Sequence, residues 1–393
     1  MNIQNTSTRT LSIDILRGLV MIIMALDHTR DFFHLTAMTS DPLDPATTTA
    51  PLFFTRWITH FCAPIFVFLS GLSAYLSSRN KTRKQASAFL AKRGLWLIFV
   101  EIIFITLALT FNPFYNLIIL QVIWAIGCSM LLLSLFIKGS LKLILITGLV
   151  IILSHNLLNL LALPPNDPVT VVIKVFVNAF GTFIPVSPNF QIWVLYGILP
   201  WTGIMFLGYA IGRWYDKDFP ALERKRKLIY SGLAMIGLFI VLRLVNLYGD
   251  PSPRKEYGQL LANFFSFLNV SKYPPSLEYT CLTLGPALLF LSCTEALKGW
   301  VPRIVAVYGK VPFFYYVLHF YLLHSLLVIF FFAAGNGADQ IASFPFFFRP
   351  AEFGYSLGIV YLIWILVVVA LYAPCKWFVK YKNTHQHWWL RYI

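Results

Sequence analysis

The chain has 393 residues, 58% hydrophobic and 12% charged, with several uninterrupted apolar runs long enough to span a bilayer. That is the composition of a polytopic integral membrane protein, and it leaves no soluble domain to house an active site. The net charge of +15 does not point to nucleic acid, because the basic residues fall in short segments between apolar runs, where the positive-inside rule accounts for them.

The first apolar segment, Ser12 to Asp31, carries Asp14, Arg17, Asp27, His28, Arg30 and Asp31. At 100° per residue, the eleven-residue step from Arg17 to His28 returns to within about 20° of one helix face and covers roughly 16 Å of axis. The two polar groups therefore share a stripe but lie at different membrane depths. Asp14 suits a helix cap, and Arg17 and the Asp27 to Asp31 cluster could snorkel to the interfaces. His28 is harder to place that way, since an ionisable group at such depth needs a cavity or a partner, which makes function the default reading. The first ten residues are polar and no small-residue cleavage site follows, so this segment is expected to remain as a signal anchor.

Periodicity and run length predict an all-α bundle of about ten transmembrane helices, near residues 12–34, 53–77, 94–112, 117–137, 140–161, 192–215, 227–248, 277–297, 303–332 and 354–378, forming one domain over residues 1–393. The segments Arg79 to Arg93 and Arg213 to Lys227 each contain six basic residues, which puts both of them and both termini in the cytoplasm. The loops Asp41 to Pro45, Pro164 to Gln191, Gly249 to Ser276 and Asn336 to Phe353 are then external. The tail from Lys376, ending Trp388-Trp-Leu-Arg-Tyr-Ile393, reads as an interfacial segment with aromatic anchors.

Further polar residues lie at membrane depth. Arg56 and His60 are one turn apart in the second span, where Pro64 should kink the helix and Ser70-Gly71 should permit close helix contact. Arg243 and Asn246 end the seventh span, and Lys272 follows in the loop. Tyr315 and His319 share a face of the ninth span, whereas His319 and His324 face different sides, so at least one of these two histidines suits an ordinary interhelical hydrogen bond. The five cysteines fall in or beside apolar runs and read as free thiols; no short-spaced His or Cys motif suggests a metal, and no Gly-rich phosphate loop suggests an ATP-driven pump.

Several of these residues form a pattern: Ser12-x-Asp14-x-x-Arg17-Gly18, then His28, Phe66-Val-Phe-Leu-Ser-Gly71 and Phe89-x-x-Lys92-Arg93. The pattern resembles the superfamily of transmembrane acyltransferases, which includes the O-antigen and peptidoglycan O-acetylases and heparan-α-glucosaminide N-acetyltransferase. The chain looks most like bacterial relatives of the heparan enzyme, and Leu120 to Gly127, Leu199 to Met205, Tyr248 to Pro253 and Lys272 to Ser276 fit that subgroup. The resemblance implies transfer of an acyl group, usually acetyl, from cytosolic acyl-CoA to a sugar or glycan acceptor across the cell (inner) membrane. A homo-oligomer is compatible with it.

Arg17 and His28 match the superfamily's arginine and catalytic histidine. In the heparan enzyme the position matching His28 looks like asparagine and the reactive histidine lies in the following loop, so His34 shares the catalytic assignment. Thioester attack needs a base near neutrality, which imidazole supplies. His28 is the first choice, with Asp31, one turn on, fixing its tautomer. Arg17 with Lys92 or Arg93 is expected to hold the donor phosphates, and Arg56, His60, Arg243, Lys272 and His319 the acceptor side. The alternative from another class is a secondary transporter or flippase for a sugar or lipid-linked intermediate, although no inverted repeat is visible.

Overall fold

The charged first segment folds as one continuous helix, α1 (Thr8–Phe33), which packs against helices from both ends of the chain and buries Val20, Met21 and Ala25 almost completely. The computed structural model describes residues 8–160, 167–178, 181–295, 297, 299–342 and 345–391. The start of the external segment expected from Pro164, and the terminal Tyr392 and Ile393 of the expected interfacial tail, lie outside them.

The second expected span is two helices, α2 (Ala50–Thr59) and α3 (Cys62–Ser78). Pro64 has no amide hydrogen for the carbonyl of His60, so the ladder breaks there. The Tyr279 hydroxyl donates to that orphaned carbonyl instead, at 2.7 Å. A Thr82 and Gln85 capping box opens α4 (Arg83–Val100), which continues through a π-helical turn (Glu101–Ile105) into α5 (Thr106–Thr110). After β1 (Leu117–Leu120) come α6 (Val122–Phe136), α7 (Leu141–Ser154), α8 (Pro168–Phe176), β2 (Thr182–Ser187), β3 (Phe190–Val194) and α9 (Ile198–Ile211).

The remaining helices are α10 (Ala221–Val245), α11 (Leu260–Leu268), α12 (Leu277–Thr294), α13 (Trp300–Lys310), α14 (Pro312–Ala333) and α15 (Leu357–Thr384). Pro312 forces Val311 out of helical geometry, which divides the ninth expected span into α13 and α14. Each of the ten expected spans contains a helix. Among the described residues, seven helical stretches are long and apolar enough to cross a membrane. The shorter α6 and α9 and the charged α1 are not among the seven.

The helical class is accompanied by one small sheet of order β1-β3-β2, with β1 parallel and β2 antiparallel to β3. Its strands are four to six residues long, too short to stand out from apolar runs of helical length. Glycines set the closest helix crossings. A Cβ at Gly208 of α9 would lie 1.9 Å from the carbonyl oxygen of Phe68 in α3, and one at Gly18 of α1 would lie 1.9 Å from that of Val305 in α13. Only backbone fits at either crossing. The close contact expected at Gly71 is present too, against Met205 of α9.

Candidate active site

The last two turns of α1 carry three charges, Asp27, Arg30 and Asp31, into the bundle, where Arg56 of α2 meets them. Asp27 accepts from Arg56 Nη1 at 2.7 and 2.6 Å and from Arg30 at 3.1 Å, and Arg30 also donates to Asp31 at 2.5 Å. Asp27 and Arg30 are buried. Desolvation at this depth is tolerable because each charge faces its opposite in a continuous chain, Arg56 to Asp27 to Arg30 to Asp31.

His28 points away from this chain, toward α14. Its Nδ1 lies 2.7 Å from Nε2 of His319, and its ring stacks on Phe320 with centroids 4.3 Å apart. The proton positions follow from the far end of the pair. Nδ1 of His319 faces the carbonyl oxygen of Tyr315 at 3.2 Å, and a carbonyl can only accept. His319 Nδ1 therefore carries a hydrogen; with both rings neutral, His319 Nε2 accepts and His28 Nδ1 donates. His28 Nε2 is left as a lone pair, with no protein hydrogen-bond partner among the described residues. The arrangement is a histidine with its tautomer fixed by another histidine, able to take up a proton at a defined atom.

Two cavities meet this ring, and a third adjoins them. The first, about 340 Å³, opens at the His28 end of the bundle and is lined by His28, Asp31, Arg56, Trp193, Lys272 and Phe320 among others. The second, about 30 Å³, shares His28, Gln121, Tyr196 and Lys272 with the first and adds Met24, Cys62 and Tyr316. The third, about 70 Å³, shares Phe66, Val122 and Tyr316 with the second and reaches Ser70 and Arg93. Together they trace a path from Lys272 to Arg93 that narrows beside His28.

The expected site residues divide accordingly. His28, Asp31, Arg56 and Lys272 line the wide cavity, Arg93 lines the far one, and His319 supports His28. Asp31 bonds to Arg30 and not to His28, so the orienting partner expected on α1 is supplied by α14. Arg17 donates to Asp14 at 3.2 Å, to the carbonyl of Gly309 at 3.0 Å and to Ser73 Oγ at 2.8 Å, tying α1 to α13 and α3 rather than lining a cavity. Lys92 is exposed beside Arg93 and lines none of the three cavities.

Arg243 requires a correction. It is 1% exposed, with its donors taken by carbonyls of Ser252, Ser266, Phe267 and Asn269 and by Glu278, so it organises the segment after α10 instead of facing an acceptor. His60 is buried against the Tyr279 ring, behind the cavity wall formed by Thr59 and Cys62. His34 lies past the end of α1, where its Nδ1 meets Thr36 and its carbonyl accepts from Arg349 at 2.7 Å. It lines none of the three cavities.

Some residues of the site had no signature in the sequence. Tyr316 stands at the constriction, with a buried hydroxyl that has no partner among the described residues. Trp193 and Tyr196 arrive on and just after β3, which lay hidden at the start of an expected helix. Lys382 of α15 lies close enough to Arg17 and Arg93 for their charges to act on one another, adding one cation near the Arg93 cavity. No group of three or more His, Cys, Asp or Glu residues that could hold a metal ion occurs among the described residues.

Residues 9–242 match the family described as heparan-alpha-glucosaminide N-acetyltransferase, catalytic. The matched stretch contains Arg17, His28, Asp31, Arg56 and Arg93, while Lys272 and His319 lie beyond it. A comparison with curated proteins finds no match. With more than half its length matched and a multi-pass helical bundle as its fold, the chain belongs to the heparan-α-glucosaminide N-acetyltransferase family of membrane acetyltransferases.

Proposed function

We propose that the protein transfers an acetyl group from acetyl-CoA on the cytoplasmic side to a hydroxyl or amine of a sugar or glycan on the other side of the inner membrane, with His28 as general base. The observation that carries this reading is the position of His28 where the path from Arg93 meets the wide cavity holding Arg56 and Lys272. Arg93, with Lys382 nearby, suits the phosphates of the donor, and the narrow path suits its pantetheine arm. The wide cavity suits the acceptor.

In this reaction His28 Nε2 takes the proton of the acceptor as its oxygen or nitrogen attacks the thioester carbonyl carbon. The Tyr316 hydroxyl, unpartnered at the constriction, donates to the oxyanion that forms. The carbon–sulfur bond then breaks, the thiolate of CoA leaves, and the imidazolium returns the proton to the sulfur. His319 keeps the base in one tautomer throughout.

The test is incubation of purified protein in lipid with radiolabelled acetyl-CoA and a panel of glycans. Label transfer, or CoA release that depends on the acceptor, supports the proposal. Absence of both in protein that moves glycans across vesicle membranes would replace it with transport.

A further inference from the structure

A larger basin, about 640 Å³, lies at the Arg17 end of the bundle and shares no lining residue with the three cavities beside His28. Its walls come from the end of α3, the start of α4, the turn between α6 and α7, and the end of α9 with the segment that follows. Five cations, Arg79, Lys81, Arg83, Arg213 and Lys217, face two carboxylates, Asp216 and Asp218. Asp216 is held by the Tyr75 hydroxyl at 2.7 Å. The excess of positive charge is reinforced by backbone, because α4 and α7 both begin at this basin and direct the positive ends of their dipoles toward it.

The basin is not polar throughout. Ile137, Leu141 and Ile144 line it on the α6 and α7 side. From there α7 runs along the outside of the bundle with Leu143, Ile146, Leu149, Val150 and Leu153 exposed, a surface that belongs in lipid. A second basin of about 560 Å³ joins the first through Leu141, Arg213, Asp216 and Asp218 and adds Lys142, with Lys227 paired to Glu223 at 3.0 Å. A cationic hollow that continues into a lipid-facing helix surface matches an amphiphile better than a free anion: the phosphate reaches the cations while the chains follow α7. We propose that this basin binds the phosphate headgroup of an anionic membrane phospholipid.

The same phosphate chemistry could be met by a soluble anion, so the test carries both sources. The full chain, purified in detergent, is titrated by native mass spectrometry with phosphatidylglycerol and with phosphatidylcholine, and in separate arms with inorganic phosphate and CoA as competitors. Phosphatidylglycerol should be retained about tenfold or more tightly than phosphatidylcholine, and R79Q/R213Q should lose most of that preference. K225Q/R226Q, which removes two exposed cations of α10 that line neither basin, should keep it. Should the first variant fold poorly, K217Q alone is expected to weaken retention measurably in protein with an unchanged melting temperature. Equal losses in the α10 control, unaltered retention in the basin variants, or displacement of the lipid by CoA or phosphate would overturn the proposal. None of these outcomes depends on acetyl transfer.

Discussion

A histidine that works as a base must keep its second ring nitrogen occupied, and for His28 that partner comes from 291 positions away in the chain. His28→Ala is expected to lower turnover by about a hundredfold or more while donor binding, measured by calorimetry, stays close to that of the parent. His34→Ala should cost far less, since His34 lines none of the cavities; the reverse ranking in folded protein would move the base to the segment after α1. His319→Ala should lower kcat and change the shape of its pH profile with little effect on the KM for donor. His319→Gln, which can still accept from His28 Nδ1, should recover part of the rate, whereas a merely structural loss would leave the pH profile unmoved. The Arg17 and His28 stripe was legible because helix periodicity fixes it locally. The His28 and His319 contact was not, because no local rule relates residues of different helices. Arg243 was misplaced for a related reason: a buried arginine looks alike in sequence whether it meets a ligand or five protein acceptors.

At the scale of elements, the segment between α10 and α12 shows how one side chain can stand in for secondary structure. Arg243 bonds to four carbonyls of that segment and to Glu278, whose side chain is likewise almost fully buried. Arg243→Ala removes those partners and strands the Glu278 carboxylate, a loss expected at about 3–5 kcal/mol and visible as a lower melting temperature. The double change Arg243→Met with Glu278→Leu should recover part of it, because no charge is left stranded. Lys272 belongs to the same segment, so the single variant should also raise the KM for acceptor. The helix break at Pro64 was legible in the sequence; the one at Pro312 was not read, since the apolar run continues across it into a single expected span. The π-helical turn at Glu101 was not legible, because what sustains it is tertiary: the Glu101 carboxylate accepts from Gln121 N at 2.7 Å, at the start of α6.

For the whole molecule, the distribution of Lys and Arg predicts a cytoplasmic Arg17 end and an external His28 end. In a background without cysteines, an impermeant maleimide applied from outside should label a cysteine at Thr48 and spare one at Lys81. Labelling of residue 81 would invert the orientation, and with it the assignment of donor and acceptor sides. The helical class could be read from apolar run lengths. The mixed sheet escaped that reading because β1 and β3 are adjacent in space but about seventy residues apart, joined by a pairing that no run length encodes.

The contact between Arg17 and the carbonyl of Gly309 spans 292 positions, and this has a bearing on how the protein is made. At about 5–20 residues per second, α1 leaves the ribosome roughly 15–60 s before α13 exists to receive it. During that interval Arg17 lacks its Gly309 acceptor and has only Asp14 and, once α3 is made, Ser73 as partners, and an unsatisfied arginine would cost about 2.5–3.5 kcal/mol at the centre of a lipid-exposed helix. Helix α1 thus waits for its α13 contact, beside the insertion machinery or at the membrane surface. In ribosome-stalled chains ending at Gly299, a cysteine at Ala25 should react with a water-soluble maleimide, and in the completed protein, where Ala25 is 0% exposed, it should be protected.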